Sequence, residues 1–132
     1  VVADPGPAGL WVARTFPTTE PGSVLVPGTN APGTAAAAAL LGGLDASRPA
    51  LGVTTWPLDP LTEALLDLAR SLEVDLTLEA WGGEADVSSP DDRQEATAAA
   101  IARPGVDVVP VPVDFTATAD LVAVAGEITA WS

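Results

Sequence analysis

The 132-residue sequence contains no cysteine, histidine, lysine, tyrosine or methionine. Without cysteine there is neither a disulfide nor thiolate chemistry. Without histidine the commonest general base and metal ligand is missing. Any catalysis would have to draw on carboxylates, five arginines, hydroxyls and backbone groups. Cations are scarce: 5 basic residues against 18 acids give a formal net charge of −13. That balance excludes nucleic acid and an anionic membrane as expected partners, because binding phosphate requires clustered positive charge. Long apolar runs are also lacking. The longest small-residue run, Thr34 to Leu44, is only eleven residues, five of them alanine, and a bilayer-spanning helix needs roughly 18 or more apolar residues. The expectation is a soluble, cytoplasmic protein.

What is present is enough for a core. Hydrophobic residues make up 48% of the chain, and a length of 132 residues suits one domain, residues 1–132. The sequence opens on Val1 with no basic stretch or cleavage site behind it, so it reads as an excised or processed segment, the C-terminal part of a longer chain.

Short apolar runs alternate with helical patterns. Val1–Ala3 and Ser23–Val26 read as buried strands, and Ala50–Thr54 as a central one. Leu10 to Arg14 suggests two turns of helix ending before Phe16-Pro17, and Ala35–Leu44 an alanine helix. From Pro60 to Leu72 a helix is expected, with Asp59 as N-cap and Pro60 as its first residue. Leu61, Leu65, Leu68, Ala69 and Leu72 recur at helical spacing and read as its core face. In the next strand Leu76, Leu78 and Ala80 alternate with Thr77 and Glu79, which predicts one less buried side. A helix over Asp91–Arg103 capped near Ser89, a strand over Val106–Val113 and a helix over Asp120–Trp131 follow. The two prolines of VDVVPVPV mark that strand as an edge strand or one that ends early. The pattern is α/β: a three-layer domain with a mostly parallel sheet of five or six strands flanked by helices. Ligands of such sheets bind beyond the C-terminal strand ends, so the loops Asp4–Ala8, Pro27–Gly33, Thr55–Leu58 and Gly82–Glu84 should gather at one edge.

Those loops carry a resemblance. Asp4-Pro5-Gly6 followed by Trp11-Val12-Ala13-Arg14-Thr15-Phe16-Pro17, then Gly28-Thr29-Asn30-Ala31-Pro32-Gly33 before the alanines, then Val111-Pro112-Val113-Asp114-Phe115, resemble in order the C-terminal thiamine-diphosphate-binding domain of acetolactate synthase-type enzymes. The resemblance covers most of the chain and implies cofactor-contacting positions at Gly6, Gly28, Asn30, Gly33, Thr55, Trp56 and Gly82. It also shows a loss. The family holds Mg²⁺ with the Asp of a G-D-G turn and the first Asn of a pair one helix and one strand later. Those positions are Thr55-Trp56-Pro57 and Gly82-Gly83 here. An indole and a glycine offer no side-chain oxygen to a cation that requires near-octahedral oxygen ligation. Pro57 also lacks a backbone N–H. Ala8 stands where the family often has a polar residue, and the segment that closes over the cofactor is shortened after Gly83. The family's activating glutamate belongs to an upstream domain.

The expected function is a non-catalytic, degenerate folding or pairing module of an acetolactate synthase-like protein. It would bind no cofactor and no metal, and would associate with missing upstream domains or a homologous subunit as a homo- or hetero-oligomer. One alternative is the cofactor domain of a working carboligase or decarboxylase that binds thiamine diphosphate and Mg²⁺ through an atypical site. A second is a binder of another small ligand at the strand ends, with Trp56 as a stacking surface. Other clusters read more plainly. Asp91, Asp92 and Glu95 suit a helix start, and Glu79 with Glu84 and Asp86 reads as a solvated group of acids. Trp11, Trp56, Trp81 and Trp131 read as core or interface, and Thr54, Thr55, Ser88 and Ser89 have no base to activate them.

Overall fold

The computed structural model describes residues 1–15, 20–28, 31–45, 51–82 and 90–116. The expected final helix, the Ser89 cap, Asn30, Gly83, Glu84, Asp86, Ser88 and Trp131 lie outside them. The described elements run β1 (Val2–Ala3), α1 (Pro7–Thr15), α2 (Thr34–Asp45), β2 (Leu51–Thr55), α3 (Pro60–Ser71), β3 (Leu76–Trp81), α4 (Pro90–Ala102) and β4 (Val106–Val111). The four strands form one all-parallel sheet in the order β1-β2-β3-β4. The expected strand at Ser23–Val26 contributes a single parallel bridge, Leu25 to Val2, on the outer side of β1. β4 lies at the other edge, and Pro110 within it is exposed, as a residue without a donor N–H requires.

Side chains alternate across a strand, so each half of the sheet's residues faces one helical layer. Leu76 and Leu78 pack with Ala35, Ala39, Leu40, Leu66 and Ala69 from α2 and α3. On the opposite face Ala3, Val53, Trp81 and Val111 pack with Ala8 and Val12 from α1, and Thr97 of α4 bonds Glu79 there. The result is an α/β sheet with helices on both faces. α3 and α4 each link neighbouring strands and step the same way along the sheet, yet lie on opposite faces. The two crossovers therefore have opposite hands. Those through α1 and α2 share the hand of α3, so β3–α4–β4 is the odd one, and roughly 98% of such connections are right-handed.

Two expectations about exposure are corrected. Every residue of β3 is buried, because α4 covers the side expected to be wetter, and Thr97 and Trp81 satisfy the Glu79 carboxylate. In α3 the buried seam is Thr62, Leu66 and Ala69, whereas Leu61, Leu68 and Leu72 are exposed and Leu65 is half-buried. Thr62 and Ala69 are small enough to bring the helix close to the sheet, which turns the bulkier leucines aside. No helix among the described residues is long and apolar enough to cross a membrane.

Candidate functional site at the C-terminal edge of the sheet

The loops after β1, β2 and β3 open at the same edge because all strands are parallel. β1 runs outward and β2 lies beside it, while the chain leaves β1 toward Leu25 and returns through α2 to β2. This reversal is the topological switch point, where a crevice forms in sheets of this kind. The group found there is a carboxylate. Asp4 follows β1 directly and is buried. Its backbone N–H donates to the Val53 carbonyl (2.8 Å). Its Oδ1 accepts from the Ala35 N–H (2.8 Å) and its Oδ2 from the Thr54 hydroxyl (2.7 Å). Ala35 is in the first turn of α2, so Asp4 satisfies one of the N–H groups that a helix N-terminus leaves open. In the structure the Thr34 hydroxyl donates to the Ala31 carbonyl (2.8 Å), and the helix is capped from 31 residues away.

Next to Asp4, β2 and β3 end together. Thr55 pairs with Trp81 in the ladder, and the Trp56 N–H donates to the Trp81 carbonyl (2.8 Å). The Gly82 N–H in turn donates to the Val111 carbonyl (2.8 Å). These bonds bring Thr55, Trp56 and Gly82 to adjacent strand ends. Thr55 is half-buried and Trp56 is 48% exposed. Gly82 has φ +91°, and a Cβ on it would stand 3.0 Å from the Phe115 ring. Gly33 has φ +82°, and a Cβ there would stand 3.0 Å from Leu61. Both glycines permit a close approach, and in each case the approaching group is a side chain of this protein. Gly6 and Gly28 are exposed with open space over them.

Neither a scan of protein-family models nor comparison with curated proteins or solved structures gives a match to this chain. The site must therefore be judged on its chemistry. Among the described residues no three metal-ligating side chains converge. Asp4 has both oxygens engaged by neutral donors, and Trp56 and Gly82 bring no side-chain oxygen. The edge can stack an aromatic or apolar group on Trp56; its donors and carboxylate are turned inward.

The remaining candidates separate. Asp92 and Glu95 are exposed on α4. Glu79 is not a solvated acid: it is buried, and accepts from the Trp81 indole (3.0 Å) and the Thr97 hydroxyl (2.8 Å). Trp81 is core, and Trp11 is half-buried with the Arg14 guanidinium 5.5 Å from its ring centroid. Asp4 was visible in the sequence only as part of a turn and as the first residue of the motif that opens the resemblance. The signal that marks it is its isolation, an acid between an apolar strand and a Pro-Gly-Pro turn with no other charge before Arg14.

Proposed function

We propose that this chain is a degenerate thiamine-diphosphate-binding-like domain, without cofactor or catalysis of its own, that serves as a folding or pairing module of an acetolactate synthase-like protein. The observation that carries the reading is the pairing of Trp56 with Trp81-Gly82 at neighbouring strand ends. The resemblance assigns the family's two metal ligands to Trp56 and Gly82, and neither has a side-chain oxygen to give. Mg²⁺ would have to be held without either, and an unanchored diphosphate would meet an acidic protein, at a cost of at least several kcal/mol for unpaired charge. Phe115 also occupies the approach to Gly82, and Leu61 the approach to a further position, Gly33. The odd hand of the β3–α4–β4 crossover supports the shortening after Gly83. Right-handed crossovers are the rule, and cutting a longer excursion through a further strand down to a direct connection is one way to leave the rare hand.

Isothermal titration of the 132-residue chain with thiamine diphosphate and Mg²⁺ tests the reading. The expected result is no saturable heat, and metal-dependent binding at micromolar affinity would overturn it. The exposure of Trp56 favours one second reading, a less charged aromatic ligand stacked on the indole. Saturable quenching of tryptophan fluorescence in a ligand screen, abolished by Trp56→Ala, is the result that reading requires.

A further inference from the structure

The α2–α3 layer leaves an apolar surface open. Leu61, Leu65, Leu68 and Leu72 form one row along α3, and Ala37, Leu41 and Leu44 form another along α2. Gly33 begins the α2 row and Leu61 the α3 row. The Leu61 side chain lies against Gly33, so the two rows border the same interhelical groove. Leu41, Leu44, Leu61, Leu68 and Leu72 are each 45–66% exposed. Together they expose on the order of 400–500 Å² of leucine. That is in the upper range for the largest apolar patch of a monomer and more than half of one partner's share of a standard interface.

Charge decides what can cover this surface. The chain carries −13, yet α2 has no charged residue until its last position, where the exposed Asp45 follows Leu44. The outward positions of α3 near the row are Ala64 and Ser71, both exposed. Glu63 falls on the opposite flank. Asp67, the acid within α3 that lies nearest the row, is paired with Arg70 at 2.8 Å. Two copies of so acidic a protein repel one another over most of their surface, and on this face the acids Asp45 and Glu73 stand only at the C-terminal ends of the two rows, so the leucines between can meet without like charges opposed. An uncharged double row of leucines is also self-complementary, as a two-fold interface must be.

We propose that the α2–α3 face pairs with the same face of a second copy of this chain, forming a two-fold dimer. The proposal rests on the pairing role argued above but not on the loss of the cofactor, so light scattering and calorimetry can fail separately. Light scattering coupled to size exclusion should give twice the 13.2 kDa chain mass at tens of micromolar. Leu61→Glu with Leu68→Glu, both at exposed positions, should give a monomer with an unchanged circular dichroism spectrum, and Leu10→Glu, on α1 across the sheet, should leave the dimer intact. The absence of cysteine allows a second readout. Under mild oxidation Ala64→Cys should cross-link two chains, whereas Ala99→Cys on α4 should not. A folded monomer at 100 µM would overturn the proposal and leave the face to another part of a longer protein. A dimer that survives the double glutamate substitution would overturn it too.

Discussion

Asp4 joins three elements through one carboxylate: β1 by its position, α2 through the Ala35 N–H and β2 through the Thr54 hydroxyl. Asp4→Ala would leave two buried donors without an acceptor, and each such loss costs about 1–3 kcal/mol. Denaturant unfolding should show a loss of about 2–6 kcal/mol by that reckoning. Asp4→Asn keeps one amide oxygen for Ala35 and offers its NH₂ to the Thr54 oxygen, so it should cost about 1 kcal/mol or less. Equal losses for the two variants would show that these hydrogen bonds do not anchor the edge. Little of this arrangement was legible in the sequence. Asp4 meets partners 31 and 50 positions away, and no local spacing encodes such a contact. Glu79 is hidden for a related reason. Its alternation with leucines looks like a wet strand face until Thr97, eighteen residues on, supplies a donor.

Elements were more legible where local chemistry fixes them. Asp59-Pro60 announces the start of α3, and the Asp59 side chain does accept from the Thr62 N–H (2.9 Å) and its hydroxyl. Partial burial pushes the Asp59 pKa up, but the hydrogen bonds from Thr62 outweigh that and hold it below its ordinary value. A carboxyl with a lowered folded pKa stabilises above its unfolded value, near 3.8, and loses that contribution as pH falls through the folded one. Asp59→Ala should therefore cost about 1 kcal/mol at neutral pH, a difference that shrinks below about pH 4. A pH series of urea melts on both proteins checks the sign. The buried side of the same helix was not legible. The rows 61-65-68-72 and 62-66-69 both have helical spacing, and hydrophobicity favours the wrong one. Small residues face the sheet because α2 and α3 share one side of it and must approach closely. α2 shows the same constraint at Gly43, where a Cβ would stand 2.4 Å from Val74 Cγ1 and 2.6 Å from the Asp75 carbonyl oxygen. Gly43→Ala gains up to about 1 kcal/mol in helix propensity, but should still destabilise by about 1–3 kcal/mol through overpacking. A raised melting temperature would show that the contact can relax.

For the whole molecule, a parallel α/β sheet was legible in the alternation of strands and helices, and a last strand at an edge or ending early was legible in the prolines of β4. Strand order and crossover hand were not, since they depend on which face each helix chooses. Net charge acts at the same scale. With −13 on 132 residues, self-repulsion opposes the compact state and is screened within about 10 Å at 0.1 M salt. The exposed Asp67–Arg70 and Asp107–Arg103 pairs lose little in return. Raising NaCl from 10 to 150 mM should lift the melting temperature, by a few degrees if a gain of about 1 kcal/mol follows. A fall would assign those pairs more weight than their exposure suggests. The β3–α4–β4 crossover acts on a longer timescale. Loop residues can be exchanged one at a time until a motif is unreadable, but no single exchange reverses the hand of a connection. The crossover is thus a heritable mark, and kinship for this chain is better sought in strand order and handedness than in its loops.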